Sequence, residues 1–270
     1  MEKYLEIERS IITKFRKTIY QKFVRAIETY DLIQENDNIM VCISGGKDSF
    51  LLAKCIQEYQ KHGHISFSAL YVCMDPGYES KNREMIETNA KRMNIPLQIV
   101  ESDVFEVMDK MQATCSLCAR MRRGFLYKKA KELRCNKIAL GHHFDDVNET
   151  TLMSMFYGSE VKTMVPKRRS NKLQDLELIR PLYLVKEEDI LKWVACNDLS
   201  FINCACKMTQ KNVESKRKYI KNLIQQLKEN DPQIDDRLFV AMHNVNLDSV
   251  VGTTKNKEKH SFVELYEDME

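Results

Sequence analysis

Apolar residues recur at Ile11, Ile12, Phe15, Ile19, Phe23, Ala26, Ile27 and Leu32, close to helical spacing, with Lys14, Arg16, Lys17, Lys22 and Arg25 filling much of the rest. This predicts an amphipathic helical segment over 9–33, broken once. The pattern then changes to a continuous apolar run, Ile39-Met40-Val41-Cys42-Ile43, short enough for a strand. A helix is expected over 49–60, a turn at His62-Gly63-His64, a strand over 65–73 and a loop at Asp75-Pro76-Gly77. A helix over 80–94 should end before Pro96, with a strand over 97–101 next. Helix 115–134, a short buried strand at Lys137-Ile138-Ala139-Leu140, a loop from Gly141 to Asp145 and a helix over 146–157 complete this regular part. Beyond Gly158 the reading is a basic loop, a strand-like stretch over 176–179 and helices near 186–197 and 211–229. The end of the chain, 256–270, reads as a disordered tail.

Strands that alternate with helices predict an α/β fold: a parallel, twisted sheet with helices on both faces. Ligands bind such sheets at the carboxyl ends of the strands. The loop after strand 39–43, the strand end at Val72 and the Gly141 loop would meet there.

The first of these loops reads Ser44-Gly45-Gly46-Lys47-Asp48-Ser49. Strand, tight glycine turn and helix aim backbone N–H groups and a helix N-terminus at one point, where an anion can sit. The glycines allow close approach and positive φ. Lys47 adds a point charge, and Ser44 and Ser49 add hydroxyl donors. The spacing differs from the G-x-x-x-x-G-K-[ST] phosphate loop.

The chain has 270 residues, 43% hydrophobic and 30% charged, with a net charge of +3. Its length allows one large domain, or one with a small appendage. No apolar run approaches the roughly 20 residues of a membrane span. The first residues lack a signal-peptide core, so a cytoplasmic protein without a membrane partner is expected. Basic residues cluster at 120–134 (Arg120, Arg122, Arg123, Lys128, Lys129, Lys131, Arg134) and at 162–172 (Lys162, Lys167, Arg168, Arg169, Lys172). Such clusters in a nearly neutral chain suit a polyanion docked on one face.

Nine cysteines without an export signal read as thiols, metal ligands or catalytic groups rather than a disulfide framework. Cys115-Ser116-Leu117-Cys118 is a C-x-x-C pair, and Cys204-Ala205-Cys206 is C-x-C. Cys42, Cys55, Cys73, Cys135 and Cys196 lie singly on apolar faces and are assigned to the core. The pairs admit three readings: a four-cysteine zinc site, a redox or persulfide pair, or an iron–sulfur cluster on three thiolates with one iron left open. For His142-His143, adjacent rings point in different directions, so at least one should be structural.

The glycine loop, Cys115 to Gly124, and Gly141-His142-His143-Phe144-Asp145-Asp146-Val147-Asn148-Glu149-Thr150 together resemble the tRNA 2-thiocytidine synthetase family. Met155-Phe156-Tyr157-Gly158, Ile179-Arg180-Pro181-Leu182 and Ala241-Met242-His243-Asn244-Val245 extend the resemblance, which covers roughly 13–248 in order. It implies an adenine nucleotide alpha hydrolase-like, pyrophosphate-loop fold. It also implies an enzyme that adenylates C2 of a tRNA pyrimidine, cytidine 32, with ATP and replaces the oxygen by sulfur held on a 4Fe–4S cluster. By the same resemblance Ser44, Gly45, Gly46, Lys47, Asp48, Ser49, Val72, Gly141 and Asp146 bind the nucleotide. Asp48, Lys47 and Asp146 act in catalysis, with Mg²⁺ as helper. Cys115, Cys118 and Cys206 hold the cluster, with Cys204 the neighbour of the third ligand, where one residue instead of the family's two separates the cysteines. Partners would be tRNA and a sulfur donor, a cysteine desulfurase or free sulfide; a homodimer is compatible with the chain. The implied division is an N-terminal helical segment (1–36), the ATP-binding domain (37–185), a helical part completing the cluster site (186–255) and the tail. Thiolation of another base, as in 2-thiouridine, and a zinc-stabilised tRNA-binding scaffold are the rival readings.

Overall fold

The computed structural model describes residues 2–102, 115–170, 175–202, 216–255 and 258–267. Helix α1 (Lys3–Ile12) leads through one wider, π-type turn (Arg16–Tyr20) into α2 (Gln21–Tyr30). The break falls at Thr13, outside helical geometry, which matches the expected interruption. Asp31 adopts the left-handed conformation and stops α2.

Then follow β1 (Asn38–Ile43), α3 (Lys47–His62), β2 (Ser68–Asp75), α4 (Ser80–Arg92), β3 (Leu97–Glu101), α5 (Cys115–Glu132), β4 (Lys137–Ala139) and α6 (Phe144–Gly158). After β5 (Lys167–Arg169) and β6 (Glu177–Ile179) come α7 (Glu187–Cys196), α8 (Lys216–Asn230) and α9 (Ile234–Ala241). The six-stranded sheet has the order β3-β2-β1-β4-β6-β5, parallel except for β5, which runs antiparallel to β6.

Strand alternation divides the core. Ile39, Val41 and Ile43 of β1, with Tyr71, Cys73, Ala139 and Ile179, face a large apolar cluster. Residues from α1, α2, α3, α4 and α7 join it, among them Ile11, Phe23, Phe50, Ile86 and Trp193. Met40, Val72, Ile138 and Leu178 face the other side, against Ala130, Leu126 and Tyr127 of α5. Both faces are covered, which is why the strands read as unbroken apolar runs.

Two lysines are buried in this framework. Lys54 Nζ meets Glu8 Oε1 at 2.6 Å and the Met93 carbonyl at 2.9 Å, tying α1 to α3. Lys137, at the start of β4, meets Asp37 at 2.7 Å and the Leu32 carbonyl at 3.0 Å, which fixes the entry to β1.

Three expectations change. β2 runs from Ser68 to Asp75, later than the expected 65–73. The basic loop after α6 contains β5, whose Lys167 and Arg169 each lie 3.4 Å from Glu177 of β6. A charged strand suits a sheet edge, where it deters further pairing. The segment read as a disordered tail contains β8 (Glu258–Ser261), paired with β7 (Gly252–Lys255), and α10 (Phe262–Glu267). Cross-strand pairs such as Thr253 with His260 give it local order without core burial. No described helix is long and apolar enough to cross a membrane.

Replacing Lys137 by Met should leave Asp37 buried without its cation, at a cost of about 3–5 kcal/mol. Urea unfolding of Lys137→Met should show this loss, and the double variant with Asp37→Asn should recover much of it.

Candidate active site

β1 delivers the chain to Ser44, and α3 begins at Lys47 with Gly46 as its N-cap. Gly45 has φ +88°, and a Cβ there would lie 2.4 Å from Ile202 Cδ1. Glycine is required both by conformation and by space. At Gly46, φ is −84° and the nearest atom to a Cβ would be Ser44 Oγ at 3.8 Å, so the protein itself sets no such limit there. The two serines also differ. Ser49 is buried, donates to Gly46 O at 2.8 Å and accepts the Ser44 N–H at 3.1 Å. It braces the loop. Ser44 is exposed, lines the cavity described below and donates its hydroxyl to Ser49 Oγ at 3.4 Å.

The second loop presses on the first. A Cβ on Gly141 would sit 3.0 Å from both Asp48 C and Ser49 N. This close approach brings the start of α6 to the start of α3. Asp146, in the first turn of α6, accepts the His143 N–H at 3.0 Å. The His143 ring lies between acids: Nε2 is 3.8 Å from Asp48 Oδ1 and 3.5 Å from Asp146 Oδ2, and Nδ1 is 3.6 Å from Asp145 Oδ2.

Burial disfavours the imidazolium, but these carboxylates outweigh it and hold His143 up at about 8. His142 has the opposite fate: burial, with help from Arg180 and Arg217, pushes it down to about 4. Burial also raises the Asp48 carboxyl against the pull of His143 and Lys47. For Asp146, burial is outweighed by His143 and Arg217, and its carboxyl is held below the usual range.

Two adjoining cavities share Asp48 and Asp146. One, of about 290 Å³, has Cys42, Val72 and Met74 on its apolar side, Ser44 and Gly141 at the loops, and Arg122 and Leu126 of α5 opposite. Its apolar wall suits a nucleobase. The other, of about 350 Å³, is lined by charge. There Lys47 Nζ pairs with Glu187 at 3.0 Å, Lys221 also pairs with Glu187, and Arg217 reaches Asp146 at 2.8 Å and Glu149 at 2.5 Å. Hydrogen bonds from Lys221 and Lys47 overcome burial and bring Glu187 down to about 2. These cations, with the free N–H groups at the start of α3, suit phosphates.

Asp48 Oδ1 is buried and has no hydrogen-bond donor, with Lys47 Nζ in ion-pair contact at 3.2 Å. With Asp146 it offers hard oxygen ligands of the kind Mg²⁺ takes, the rest of its shell coming from phosphate and water. Among the described residues no three His, Cys, Asp or Glu side chains are grouped to hold a metal on their own.

The structure thus brings Ser44, Gly45, Gly46, Lys47, Asp48, Ser49, Val72, Gly141 and Asp146 to one place. Cys115 opens α5 and Cys118 lies one turn on, with the backbone alone described for both. Cys204 and Cys206 fall outside the described residues. Of the single cysteines, Cys55, Cys73 and Cys135 are buried, and burial lifts Cys73 to about 12 and Cys135 to about 11. Cys42 is half-buried on the cavity wall. Cys196 departs from expectation: it ends α7 exposed, with Lys14 Nζ 3.0 Å from its Sγ. Sequence reasoning missed Glu187, Arg217, Lys221, Glu149 and Arg122. Arg122 lay in the basic cluster at 120–134 and Glu149 in the segment from Gly141 to Thr150, while Glu187, Arg217 and Lys221 carried no signal beyond the helices expected near 186–197 and 211–229.

His143 makes stability pH-dependent in metal-free protein. Its folded pKa lies above the ordinary 6.5, so its contribution is complete below 6.5 and is lost as pH rises through about 8. Urea unfolding in EDTA should show a loss of about 2 kcal/mol between pH 6 and 9. His143→Gln should flatten that interval; an equal loss in the variant would assign it elsewhere.

Comparison with known proteins agrees with this geometry. The PP-loop domain model matches residues 13–227. A tRNA-cytidine(32) 2-sulfurtransferase from Alcanivorax borkumensis is 34% identical over 242 residues, 88% of this chain and 84% of that one. One from Neisseria meningitidis is 36% identical over 236 residues, 86% of this chain and 73% of that one. One from Francisella tularensis is 31% identical over 265 residues, 97% of each. A U34-tRNA thiolase from Methanococcus maripaludis, solved with its 4Fe–4S cluster, shares the fold with a TM-score of 0.65 at 21% identity, over 87% of this chain and 80% of that one. A glycine loop braced by Ser49, a second loop packed on it at Gly141 and relatives aligned over most of their length lead to one assignment: the chain belongs to the PP-loop family and, within it, to the tRNA-cytidine(32) 2-sulfurtransferases.

Proposed function

We propose that this protein is an ATP-dependent tRNA sulfurtransferase that exchanges the C2 oxygen of cytidine 32 for sulfur. One observation carries the reading: the helix that opens with Cys115 and Cys118, and the described residues on either side of Cys204 and Cys206, reach the nucleotide site. The helix that opens with Cys115 and Cys118 lines the cavity through Arg122 and Leu126. At helical spacing 115, 118, 122 and 126 fall on one stripe. Ile202, just before Cys204, packs on Gly45, and Arg217, soon after Cys206, pairs with Asp146.

The chemistry follows from the parts. The C2 oxygen of a pyrimidine is a poor leaving group, and transfer of the AMP moiety of ATP onto it makes it a good one. Lys47, the Ser44 hydroxyl and the first N–H groups of α3 stabilise charge on the departing pyrophosphate. Asp48 and Asp146 would hold Mg²⁺, which neutralises phosphate charge. Cys115, Cys118 and Cys206 would hold a 4Fe–4S cluster, which supplies an open iron able to carry sulfide from a cysteine desulfurase or from solution. Sulfide then takes the place of AMP at C2. The Arg122 guanidinium reaches the cavity from the cysteine helix and can orient the reacting groups. Thiolation in this way consumes no cysteine of the protein.

Asp48→Ala should abolish 2-thiocytidine, read by mass spectrometry of nucleosides from tRNA incubated with ATP and sulfide, and leave iron content unchanged. Normal product from this variant would remove Asp48 from the reaction. Anaerobic protein should carry about four irons per chain. Cys115→Ala, Cys118→Ala and Cys206→Ala should each lose them, whereas Cys204→Ala keeps iron and activity. Exchange of the last two results would move the third ligand to Cys204. One zinc and no iron would replace the cluster by a closed structural site.

A further inference from the structure

The segment Ile179-Arg180-Pro181-Leu182 does not line the nucleotide cavity, yet it contains a buried charge close enough to bear on His142, which does. Arg180 follows β6 directly, at the carboxyl end of the sheet. It is only 8% exposed. Its Nη1 donates to the Val165 carbonyl at 2.5 Å, its Nε has no hydrogen-bond partner, and no described carboxylate pairs with it. A buried guanidinium without a counter-ion is costly, and the fold gains no ion pair in return.

Its surroundings are cationic. The Arg180 N–H donates to the Pro166 carbonyl at 3.0 Å and continues the β5–β6 ladder, in which Arg168 stands opposite Leu178. Arg168 and Arg180 therefore share one face of the sheet. That face is covered by α5, whose Leu126 and Tyr127 pack around Leu178. Arg123 lies one turn earlier on α5 and is exposed, as is Arg168. Burial, with the charges of Arg168 and Arg123, weakens the hold of Arg180 on its proton against the opposing influence of Tyr183 and Tyr127. Arg168 and Arg180 lie on strands beyond β4 from β1 and β2, and none of the three arginines lines the nucleotide cavity. Arg122, beside Arg123, does line it.

We propose that Arg180, Arg168 and Arg123 form a phosphate-binding site for the sugar–phosphate backbone of the RNA substrate beside the target nucleotide. The proposal rests on the tRNA reading above. A phosphodiester supplies the missing counter-ion. A guanidinium buried in advance meets it in fixed geometry, with little solvent left to displace. The exposed pair draws the backbone in, and Arg180 sets its register, a positioning role that carries no sequence information.

The test is binding of an unmodified tRNA transcript by fluorescence anisotropy over a range of KCl concentrations, with ATP affinity and thermal unfolding measured on the same samples. Arg180→Gln should weaken binding about tenfold and reduce the slope of log affinity against log salt by about one. Arg168→Gln and Arg123→Gln should each reduce the slope as well. ATP affinity should be unchanged, and Arg180→Gln should unfold no earlier than wild type. If Arg180→Gln does not fold, the two exposed variants decide. Unchanged affinity and slope in both overturn the proposal. A loss of ATP affinity with an unchanged tRNA slope assigns the phosphate to the nucleotide and overturns it too. Wild-type protein that fails to bind the transcript overturns the tRNA reading itself, an outcome distinct from wild type binding and variants matching it.

Discussion

The site is organised by the contact between two loops, with no room for a side chain at Gly141 against the backbone of Asp48 and Ser49. That contact forces Asp48 and Asp146 onto one small volume. Two carboxylates brought together away from water repel, and each alone would pick up a proton. His143 and the ring of Lys47, Arg217 and Lys221 are the response to this crowding. Glu187 and Glu149 in turn hold those cations. The charge network is therefore a consequence of backbone packing, and it leaves one oxygen of Asp48 with ion-pair contacts but no hydrogen-bond donor.

The acids that hold the cations occupy the role that phosphate oxygens would take. A polyphosphate entering the charged cavity meets Lys47 and Arg217 already placed, at the cost of weakening their pairs with Glu187 and Glu149. Exchange of one anion for another in a partly buried site changes local charge less than binding to bare lysines would. The surrounding framework is rigid enough to bear this, because both sheet faces are covered and the buried Lys54 and Lys137 pairs tie the N-terminal helices and the base of β1 to it.

Much of this was legible in the sequence. The apolar run of β1, the glycine turn and the helical pattern after it locate the nucleotide loop, because hydrophobic period and turn chemistry act over a few residues. Gly141 could be placed because it follows another buried strand, and Asp146 through the resemblance carried by the segment from Gly141 to Thr150. Arg217 and Glu187 could not: their partners are 71 and 140 residues away, and a charged residue on a helix looks the same whether it faces solvent or an active site. β5 escaped because an edge strand of Lys and Arg has no apolar alternation. Cys196 escaped because a cysteine at the end of an apolar helix gives no sign that the helix has reached the surface.

Ile202 against Gly45 has a further meaning. An inflexible glycine turn and a branched aliphatic side chain, pressed together without slack, behave as a mechanical joint. Whatever displaces the turn must displace Ile202, and the reverse holds equally, since coupling between two positions is reciprocal. The nucleotide turn and Ile202 are thus not independent neighbours, and a shift of either is felt by the other.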